Sequence, residues 1–294
     1  GGDLGLAMML IDAAKAAGAD AVKFQAYEAE TITLDCDRPD LMIADGSWAG
    51  RRLFDLYREC QTPFAWFPLL AKRAREMDII WFASAFDRSA VDLLVSLDAP
   101  AIKIASFELV DLPLIRYAAA TGKPMILSTG MASYQEIADA LLQIQEPHDR
   151  TAVLHCISGY PTPPAEAYLE RIKLFQKWWR DPIGISDHTT GIVAPIAATT
   201  LGACIIEKHL TISHQRRTAD AAFSLDLVEF KQMATAVRNV WKALRHTLAN
   251  SEASSRPLRR SLYVVQDMRA GDVFTADNVR SIRPGHGMAP KHLP

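Results

Sequence analysis

The stretch that decides the fold is Ile79-Ile-Trp-Phe-Ala-Ser84, followed after a helix-type segment by Ala101-Ile-Lys-Ile104. Each run is short and mostly apolar, as strands buried on both faces are. The segment between them begins at Asp87, a favourable helix N-cap. This alternation is typical of a parallel sheet covered by helices. Five further runs extend the set to seven predicted strands, at residues 21–25, 125–128, 152–156, 183–186 and 204–208.

The repeat predicts an α/β fold, and a (β/α)8 TIM barrel in particular. The chain opens directly in an amphipathic helix, which Asp3 caps and Gly18 ends, so we expect that an initial strand is missing from the sequence. Seven strands and the missing one make the eight of a barrel. The alternative is a doubly wound sheet of seven strands, which the lack of Gly-x-Gly-x-x-Gly after the first strand disfavours.

Two segments interrupt the repeat. Residues 35–50 are polar and contain Pro and Gly, which predicts a loop over the functional site. Residues 250–257 have the composition of a linker. The linker separates the predicted barrel domain, residues 1–249, from a small C-terminal domain, residues 258–294.

The small domain is predicted to consist of short strands at 261–265 and 279–282 with a turn at 269–272. About 40 residues without disulfides bury too little apolar surface to fold alone. We therefore expect this domain to dock on its own barrel or on that of a neighbouring chain.

The composition excludes several classes of function. Lys and Arg total 32 against 34 Asp and Glu, so no global charge favours nucleic acid or an anionic membrane. The most apolar stretch, residues 191–206, is too short and too interrupted to span a membrane. Four cysteines without a Cys-x-x-Cys pair predict a reduced, cytoplasmic protein. Small molecules are the expected partners.

Polar residues end nearly every predicted strand. In a barrel the chemistry lies at the C-terminal ends of the strands. Lysines and carboxylates inside parallel strands are costly unless they are paired or bind a ligand. Their convergence on one rim predicts a functional site, formed by Lys23, Gln25, Ser84, Phe86, Lys103, Ser106, Glu108, Ser128, Thr129, His155, Ser158, Tyr160, Ser186, Asp187, His188, Glu207, Lys208 and His209.

Two of these residues, His188 and His209, end consecutive strands and could share a metal ion. Asp187 and Glu207 lie beside them in the sequence, whereas no Cys or third His does. Such a ligand set suits an open, catalytic Mn or Mg rather than a closed structural zinc. Alternatively, each histidine is a hydrogen-bonded core residue.

Lys23, Lys103, Ser106 and Ser128 combine cations with hydroxyls, which predicts a pocket for phosphate and carboxylate groups. Each serine could instead be a helix N-cap. A different chemistry, a Schiff-base aldolase, would use Lys103 or Lys208 as the nucleophile.

These motifs together resemble the sialic acid synthase family, which includes N-acetylneuraminate, legionaminate and pseudaminate synthases and spore-coat polysaccharide proteins. The tail resembles the antifreeze-like (SAF) β-clip domain of that family. The resemblance is carried by Lys23-Phe-Gln25, Lys103-Ile-Ala-Ser-Phe-Glu108, Leu127-Ser-Thr-Gly-Met131, Leu154-His-Cys-Ile-Ser-Gly-Tyr-Pro161, Gly184-Ile-Ser-Asp-His-Thr189, Ile206-Glu-Lys-His209, Ala270-Gly-Asp272 and Arg283-Pro-Gly-His-Gly287.

The resemblance implies a condensation of phosphoenolpyruvate with an N-acetylated hexosamine, in surface polysaccharide biosynthesis. His188 and His209 would bind the divalent metal, with Mn expected. Lys23, Lys103 and Glu207 are implied as catalytic residues. The residues implied to bind the two substrates are Gln25, Ser84, Phe86, Ser106, Glu108, Ser128, Ser158, Tyr160, Ser186, Asp220 and Arg283.

The tail is implied to belong to a domain-swapped homodimer, in which Arg283 reaches the sugar in the site of the other subunit. Without the resemblance, Arg283 would be interpreted as a solvated surface residue. The motif around Phe107 and at 157–159 resembles the pseudaminate and spore-coat branches.

The family begins with a strand that carries a glutamate, followed by an Asn-His-x-Gly turn, and this sequence starts just after that position. Its tail also stops at Pro294, before the final strands of the family's domain. We therefore expect both domains to be incomplete. A catalytically silent, glycan-binding homologue is the non-enzymatic alternative.

Overall fold

The computed structural model describes residues 2–144, 150–180, 182–215, 218–245 and 252–293. Its contacts divide the chain into two compact units, Gly1–Trp241 and Lys242–Pro294. The predicted domain boundary after residue 249, and the start of the predicted linker at 250–251, lie outside the described residues. The exact boundary therefore stays a prediction.

The first unit is built on a curled, seven-stranded parallel sheet, a half-barrel. Its strands are neighbours in chain order, from β1 to β7. The α/β prediction is thus confirmed, and each of the seven predicted strands is present. The doubly wound alternative is wrong, because the strand order of such a sheet reverses at a switch point. The strands are β1 Ala21–Ala26, β2 Ile80–Ala85, β3 Ile102–Ile104, β4 Met125–Ser128, β5 Thr151–Cys156, β6 Ile183–Asp187 and β7 Ile206–Lys208.

Helices follow the strands, and several begin at capping residues, among them the predicted cap Asp87. Asp87 and Asp111 accept hydrogen bonds from Ala90 N and Leu114 N, and Ser133 forms a capping box with Glu136. The helices are α1 Leu4–Ala16, α2 Ala29–Ile32, α3 Leu53–Cys60, α4 Phe67–Glu76, α5 Arg88–Ser96, α6 Leu112–Ala119, α7 Tyr134–Leu142, α8 Arg171–Trp178, α9 Val193–Thr200 and α10 Leu227–Arg245.

The hydrophobic core lies between the sheet and these helices. Ile102, Ile104, Leu127, Val153 and Ile185 on the strands are buried in it. Since side chains alternate along a strand, the residues between them face the inside of the half-barrel. The inner face thus receives the polar residues of the strand ends.

The second unit contains an antiparallel pair, β8 Ser261–Val264 and β9 Val279–Ile282. The turn at Arg269–Asp272 has Gly271 at φ +97°, a conformation that favours glycine. The predicted strands and turn are therefore confirmed. Val279 is buried, whereas Phe274 is exposed, so this unit contains little apolar core.

No described helix is long and apolar enough to cross a membrane. All four cysteines lie in the described ranges, and none is in a disulfide.

Candidate active site

The inner face of the half-barrel brings together the polar side chains of several strands. The register aligns Gln25 with Ser84 and Ser84 with Lys103, and it aligns Ser186 with Glu207. Alternation along each strand then places all of them on one face. The predicted residues on this face are Lys23, Gln25, Ser84, Lys103, Ser128, Ser186 and Glu207.

Glu207 is the centre of this group. Its Oε1 accepts hydrogen bonds from Lys103 Nζ at 2.7 Å, Ser186 Oγ at 2.8 Å and Lys23 Nζ at 3.2 Å. Burial alone would raise the pKa of Glu207, but the charges of the two lysines hold it well below its usual range. Glu207 is therefore ionised and serves as the counter-ion of both lysines.

Lys103 is only 3% exposed, and burial lowers its pKa to about 8 although Glu207 favours the charged form. It is therefore mostly protonated at pH 7. Two lysines against one carboxylate leave a net positive charge on the inner face, which can attract an anion.

Buried hydroxyls surround the lysines. Ser84 Oγ and Ser128 Oγ have no hydrogen-bond partner in the described part of the chain, so each can donate to a ligand. Ser106 Oγ accepts from Gly130 N at 3.0 Å, which leaves the hydroxyl proton of Ser106 for another acceptor. Neither Ser106 nor Ser128 caps a helix, so the N-cap interpretation is wrong for both.

Gly130 lets Ser106 and Ser158 approach each other. A Cβ at position 130 would lie 2.1 Å from Ser158 Oγ and 2.9 Å from Ser106 Oγ. These two hydroxyls thus form a tight cradle after β4, in which the Gly130 amide holds the Ser106 oxygen. Such hydroxyl donors suit an anionic oxygen.

His188 and His209 lie together at the ends of β6 and β7, with ring centroids 5.4 Å apart. His188 Nδ1 donates to Ile157 O at 3.1 Å, and His209 Nδ1 lies 3.2 Å from Asp220 Oδ2. Metal-binding histidines usually engage their second ring nitrogen in this way. The two Nε2 atoms are thus the nitrogens that could hold a divalent metal.

Burial and the neighbouring His209 lower the pKa of His188 to about 3, so His188 is neutral near pH 7. Asp220 is ionised: burial would raise its pKa, but the hydrogen bond with His209 lowers it. In the described part of the chain, no third His, Cys, Asp or Glu forms a metal-type cluster with the two histidines. Water or substrate oxygens would have to complete such a site.

Asp187 and Lys208 do not belong to this site. Lys208 Nζ donates to Asp187 Oδ2 at 2.6 Å and to Thr189 O, and both side chains are fully buried. Thr189 N and Oγ1 also donate to the Asp187 carboxylate. Asp187 is therefore not available as a metal ligand, and Lys208 is a poor nucleophile because its amine is held in an ion pair.

Two aromatic side chains, Tyr160 and Phe223, pack against the histidines. The Tyr160 ring lies 4.4 Å from the His188 ring and 5.3 Å from Phe223. Phe86 packs edge-on against Tyr27 at 5.1 Å. An organic substrate could be held against such surfaces.

Glu108 follows β3, and its Oε2 is buried without a hydrogen-bond partner among the described residues. Burial raises its pKa from the ordinary 4.5 to about 7. Near neutral pH this carboxyl can therefore either donate or accept a hydrogen bond.

The structure adds one residue to this surface that the sequence did not predict, Trp48. Its ring lies 5.7 Å from that of Tyr160. The predicted loop over the site at 35–50 carries it, but nothing in the sequence distinguished Trp48 from other loop residues. Arg283 follows β9 in the second unit and is exposed.

A family model for the NeuB family matches residues 10–248 of the chain. The pseudaminic acid synthase of Campylobacter jejuni is 37% identical, over 99% of this chain and 86% of that protein. The pseudaminic acid synthase of Helicobacter pylori is 38% identical, over 98% of this chain and 86% of that protein.

Among solved structures, the N-acetylneuraminic acid synthetase of Leptospira borgpetersenii in complex with citrate superposes with a TM-score of 0.77. It is 32% identical, and the match covers 86% of this chain and 85% of that one. The chain belongs to the NeuB family, the family of the sialic acid synthases.

Proposed function

We propose that this protein condenses phosphoenolpyruvate with an N-acetylated amino sugar to a nonulosonic, sialic-type acid and releases phosphate. The observation that carries the proposal is the net positive, hydroxyl-lined pocket around Lys23 and Lys103 beside the His188 and His209 pair. An anionic three-carbon substrate and a sugar aldehyde need these two environments side by side.

In this reaction, C3 of phosphoenolpyruvate forms a bond to the aldehyde carbon of the open-chain sugar, and the aldehyde oxygen gains a proton. A water oxygen bonds to C2, and the bond between C2 and the phosphate oxygen breaks. The products are a 2-keto-3-deoxy acid and inorganic phosphate.

The lysines and serines would bind phosphoenolpyruvate. Lys23 and the largely protonated Lys103 neutralise the carboxylate and phosphate, and Ser84, Ser106 and Ser128 donate hydrogen bonds. The ionised Glu207 pairs with both lysines and so fixes the positions of their ammonium groups. Lysines fixed in this way would hold the bound phosphoenolpyruvate, and with it the attacking C3, in place.

His188 and His209 would hold a divalent metal, Mn in preference to Mg. Their Nδ1 partners, Ile157 O and Asp220, fix the tautomers that leave Nε2 as a ligand. When bound, the metal supplies Lewis-acid polarisation of the sugar aldehyde. Gln25, Glu108, Tyr160 and Asp220 would orient the sugar.

We take a dideoxy-diacetamido hexose as the acceptor, ahead of N-acetylmannosamine. The two relatives at 37% and 38% identity are both pseudaminic acid synthases, which supports this choice. The product would enter surface polysaccharide biosynthesis.

The test is an assay of phosphate release by the full-length protein, with phosphoenolpyruvate, Mn²⁺ and a panel of N-acetylated sugars. We expect phosphate to be released only when both the sugar and a divalent metal are present. The product should contain all the carbons of the sugar and the three carbons of phosphoenolpyruvate. No release with any sugar would overturn the proposed function and favour a silent, glycan-binding homologue.

Borohydride trapping separates this mechanism from the Schiff-base aldolase. We expect no covalent adduct on Lys103 after incubation with pyruvate, because the proposed condensation forms no imine. Activity that a chelator abolishes and Mn²⁺ restores, without trapping, supports the proposal. A trapped adduct at Lys103 with chelator-resistant activity would contradict it.

For the tail, residues 258–294, we propose an antifreeze-like domain that docks across a domain-swapped homodimer. The small apolar core of the second unit supports docking. Arg283, exposed at the end of β9, would donate to the N-acetyl oxygen of the sugar in the partner's site.

Subunit mixing tests this arrangement. Arg283→Ala and His209→Ala proteins are expected to be inactive separately and to recover activity when mixed, because a mixed dimer contains one intact site. No recovery after verified subunit exchange would rule out sharing of the site between chains.

A further inference from the structure

The loop of residues 33–52, between α2 and α3, is tied at its base by Arg52. The guanidinium of Arg52 donates to Asp37 Oδ1 at 2.6 Å, to Asp35 Oδ1 at 3.0 Å and to Asp55 Oδ2 at 2.8 Å. A backbone bridge also pairs Met42 with Arg52. These contacts hold the two ends of the loop together, so the loop and its tip are held as one unit.

The tip of this loop contacts both segments that support the two histidines. Ser47 Oγ donates to Tyr160 O at 2.8 Å, and the Tyr160 ring packs on His188. Trp48 Nε1 donates to Ala219 O at 3.1 Å. The next residue, Asp220, holds His209 through its carboxylate.

The Trp48 ring also packs between these segments. Its centroid lies 5.7 Å from that of Tyr160 and 6.5 Å from that of Phe223. Phe223 is only 1% exposed and contacts the rings of both histidines, at 6.0 Å and 5.0 Å. One indole thus joins the loop after β5 to the segment before α10.

From these contacts we infer that Trp48 is a positioning residue, which holds Tyr160 and the segment 218–225 in the arrangement that binds the sugar. The inference rests on the proposed function only where it predicts a change in KM. Trp48 acts through Ala219 and Tyr160 and touches no residue of the lysine pocket in the described contacts, so it should affect the sugar and not phosphoenolpyruvate.

Tryptophan meets two requirements here that no smaller residue meets together. Its N–H reaches the Ala219 carbonyl, and its ring area fills the gap between Tyr160 and Phe223. Phenylalanine would keep most of the packing and lose the hydrogen bond. Alanine would lose both.

The experiment compares full-length Trp48→Phe and Trp48→Ala with the unaltered protein. Hydrogen exchange without substrates is expected to accelerate in peptides covering 218–225, about 5-fold for Phe, as loss of one hydrogen bond implies, and more for Ala. The KM for the sugar is expected to rise about 10-fold in Trp48→Ala, with the KM for phosphoenolpyruvate within about 2-fold.

Two further variants sharpen the result. Trp178→Phe is the matched control, because Trp178 is 54% exposed on α8 and should change neither measurement. Arg52→Gln keeps Trp48 but releases the base of the loop, and it should accelerate exchange in 218–225 as Trp48→Ala does.

Unchanged exchange in 218–225 for both Trp48 variants would overturn the inference, as would an equal rise in both KM values. Because exchange is measured without substrates, it tests the inference even if the proposed reaction is absent. Should Trp48→Ala fail to fold, Trp48→Phe provides the same comparison.

Discussion

Lys23 on β1 and Glu207 on β7 lie 3.2 Å apart, from Nζ to Oε1, although their strands are at opposite ends of the strand order. A flat sheet of seven strands would separate them by about 29 Å, at roughly 4.8 Å a strand. The contact exists because the sheet curls. The curl lets a residue from the last strand act as counter-ion for lysines of the first and third.

Replacement of Glu207 by Gln should destabilise the protein and remove its activity. Lys23 and the buried Lys103 would lose their counter-ion, at a cost of about 2–4 kcal/mol in the free energy of unfolding near pH 7. The cost should shrink above pH 8, where Lys103 is largely neutral. Urea denaturation at pH 7 and pH 9.5 measures both values.

Glu170→Gln is the control for this variant. Glu170 pairs with Lys173 at 3.3 Å on the surface, with both side chains at least half exposed. Its loss should change the free energy of unfolding by less than about 1 kcal/mol. A similar small change for Glu207→Gln would contradict the assigned role of the carboxylate.

Lys208→Met should destabilise the protein by about 3–5 kcal/mol, because Asp187 would be left buried and charged. The double variant Asp187→Asn, Lys208→Met should recover much of this loss, since it buries no unpaired charge. Thermal and urea unfolding of both proteins give the comparison.

Lys123→Met is the control, because Lys123 pairs with the exposed Asp98, and it is expected to have little effect on the free energy of unfolding. A double variant no more stable than Lys208→Met would argue against a charge-pairing role.

Glu108 should make stability fall as the pH rises through 7. Its pKa is about 7 in the folded protein and 4.5 ordinarily, so folding favours the protonated form. The contribution is complete below pH 4.5 and is lost above pH 7. Glu108→Gln should therefore raise the free energy of unfolding at pH 8, on the order of 2–3 kcal/mol relative to its effect at pH 4.5.

Glu136 provides a control of opposite sign. Its hydrogen bonds with Ser133 in the α7 capping box lower its pKa, so its contribution is present at neutral pH and is lost on acidification. In Glu136→Gln, this contribution to the fall in stability on acidification should be absent. A pH profile of Glu108→Gln parallel to that of the unaltered protein would disprove the burial effect.

Gly130→Ala should weaken phosphoenolpyruvate binding about 10- to 100-fold, as overpacking of a tight site implies. The added Cβ would meet Ser158 Oγ at 2.1 Å and push apart the cradle with Ser106. Calorimetric titration measures the affinity. The double variant Gly130→Ala, Ser158→Ala lacks the closest of these contacts. It should therefore be more stable to unfolding than the single variant Gly130→Ala. Unaltered affinity in Gly130→Ala would place the anion elsewhere.

Several features of the site could be predicted because they depend on local order along the chain. The apolar runs and the caps Asp3 and Asp87 predicted the strands and helices in the right order. A polar residue at a strand end must lie at the C-terminal edge of a parallel sheet. His188 and His209 were therefore expected to be neighbours, and their rings lie 5.4 Å apart.

Other features depended on contacts between distant segments. Asp187 was expected beside the histidines, yet the pleat turns it to the opposite face, where it pairs with Lys208. Trp48 was missed because its partners, Tyr160 and Ala219, are more than a hundred residues away in the chain.

The sequence by itself determined which residues end the strands, because secondary structure follows from short apolar periods and capping residues. Only the tertiary structure decided which of those residues meet. The curl of the sheet brings Glu207 to Lys23 and Lys103, and burial shifts the pKa values of Lys103 and Glu108. Both effects arise from the packing of segments far apart in the chain, which no local pattern encodes.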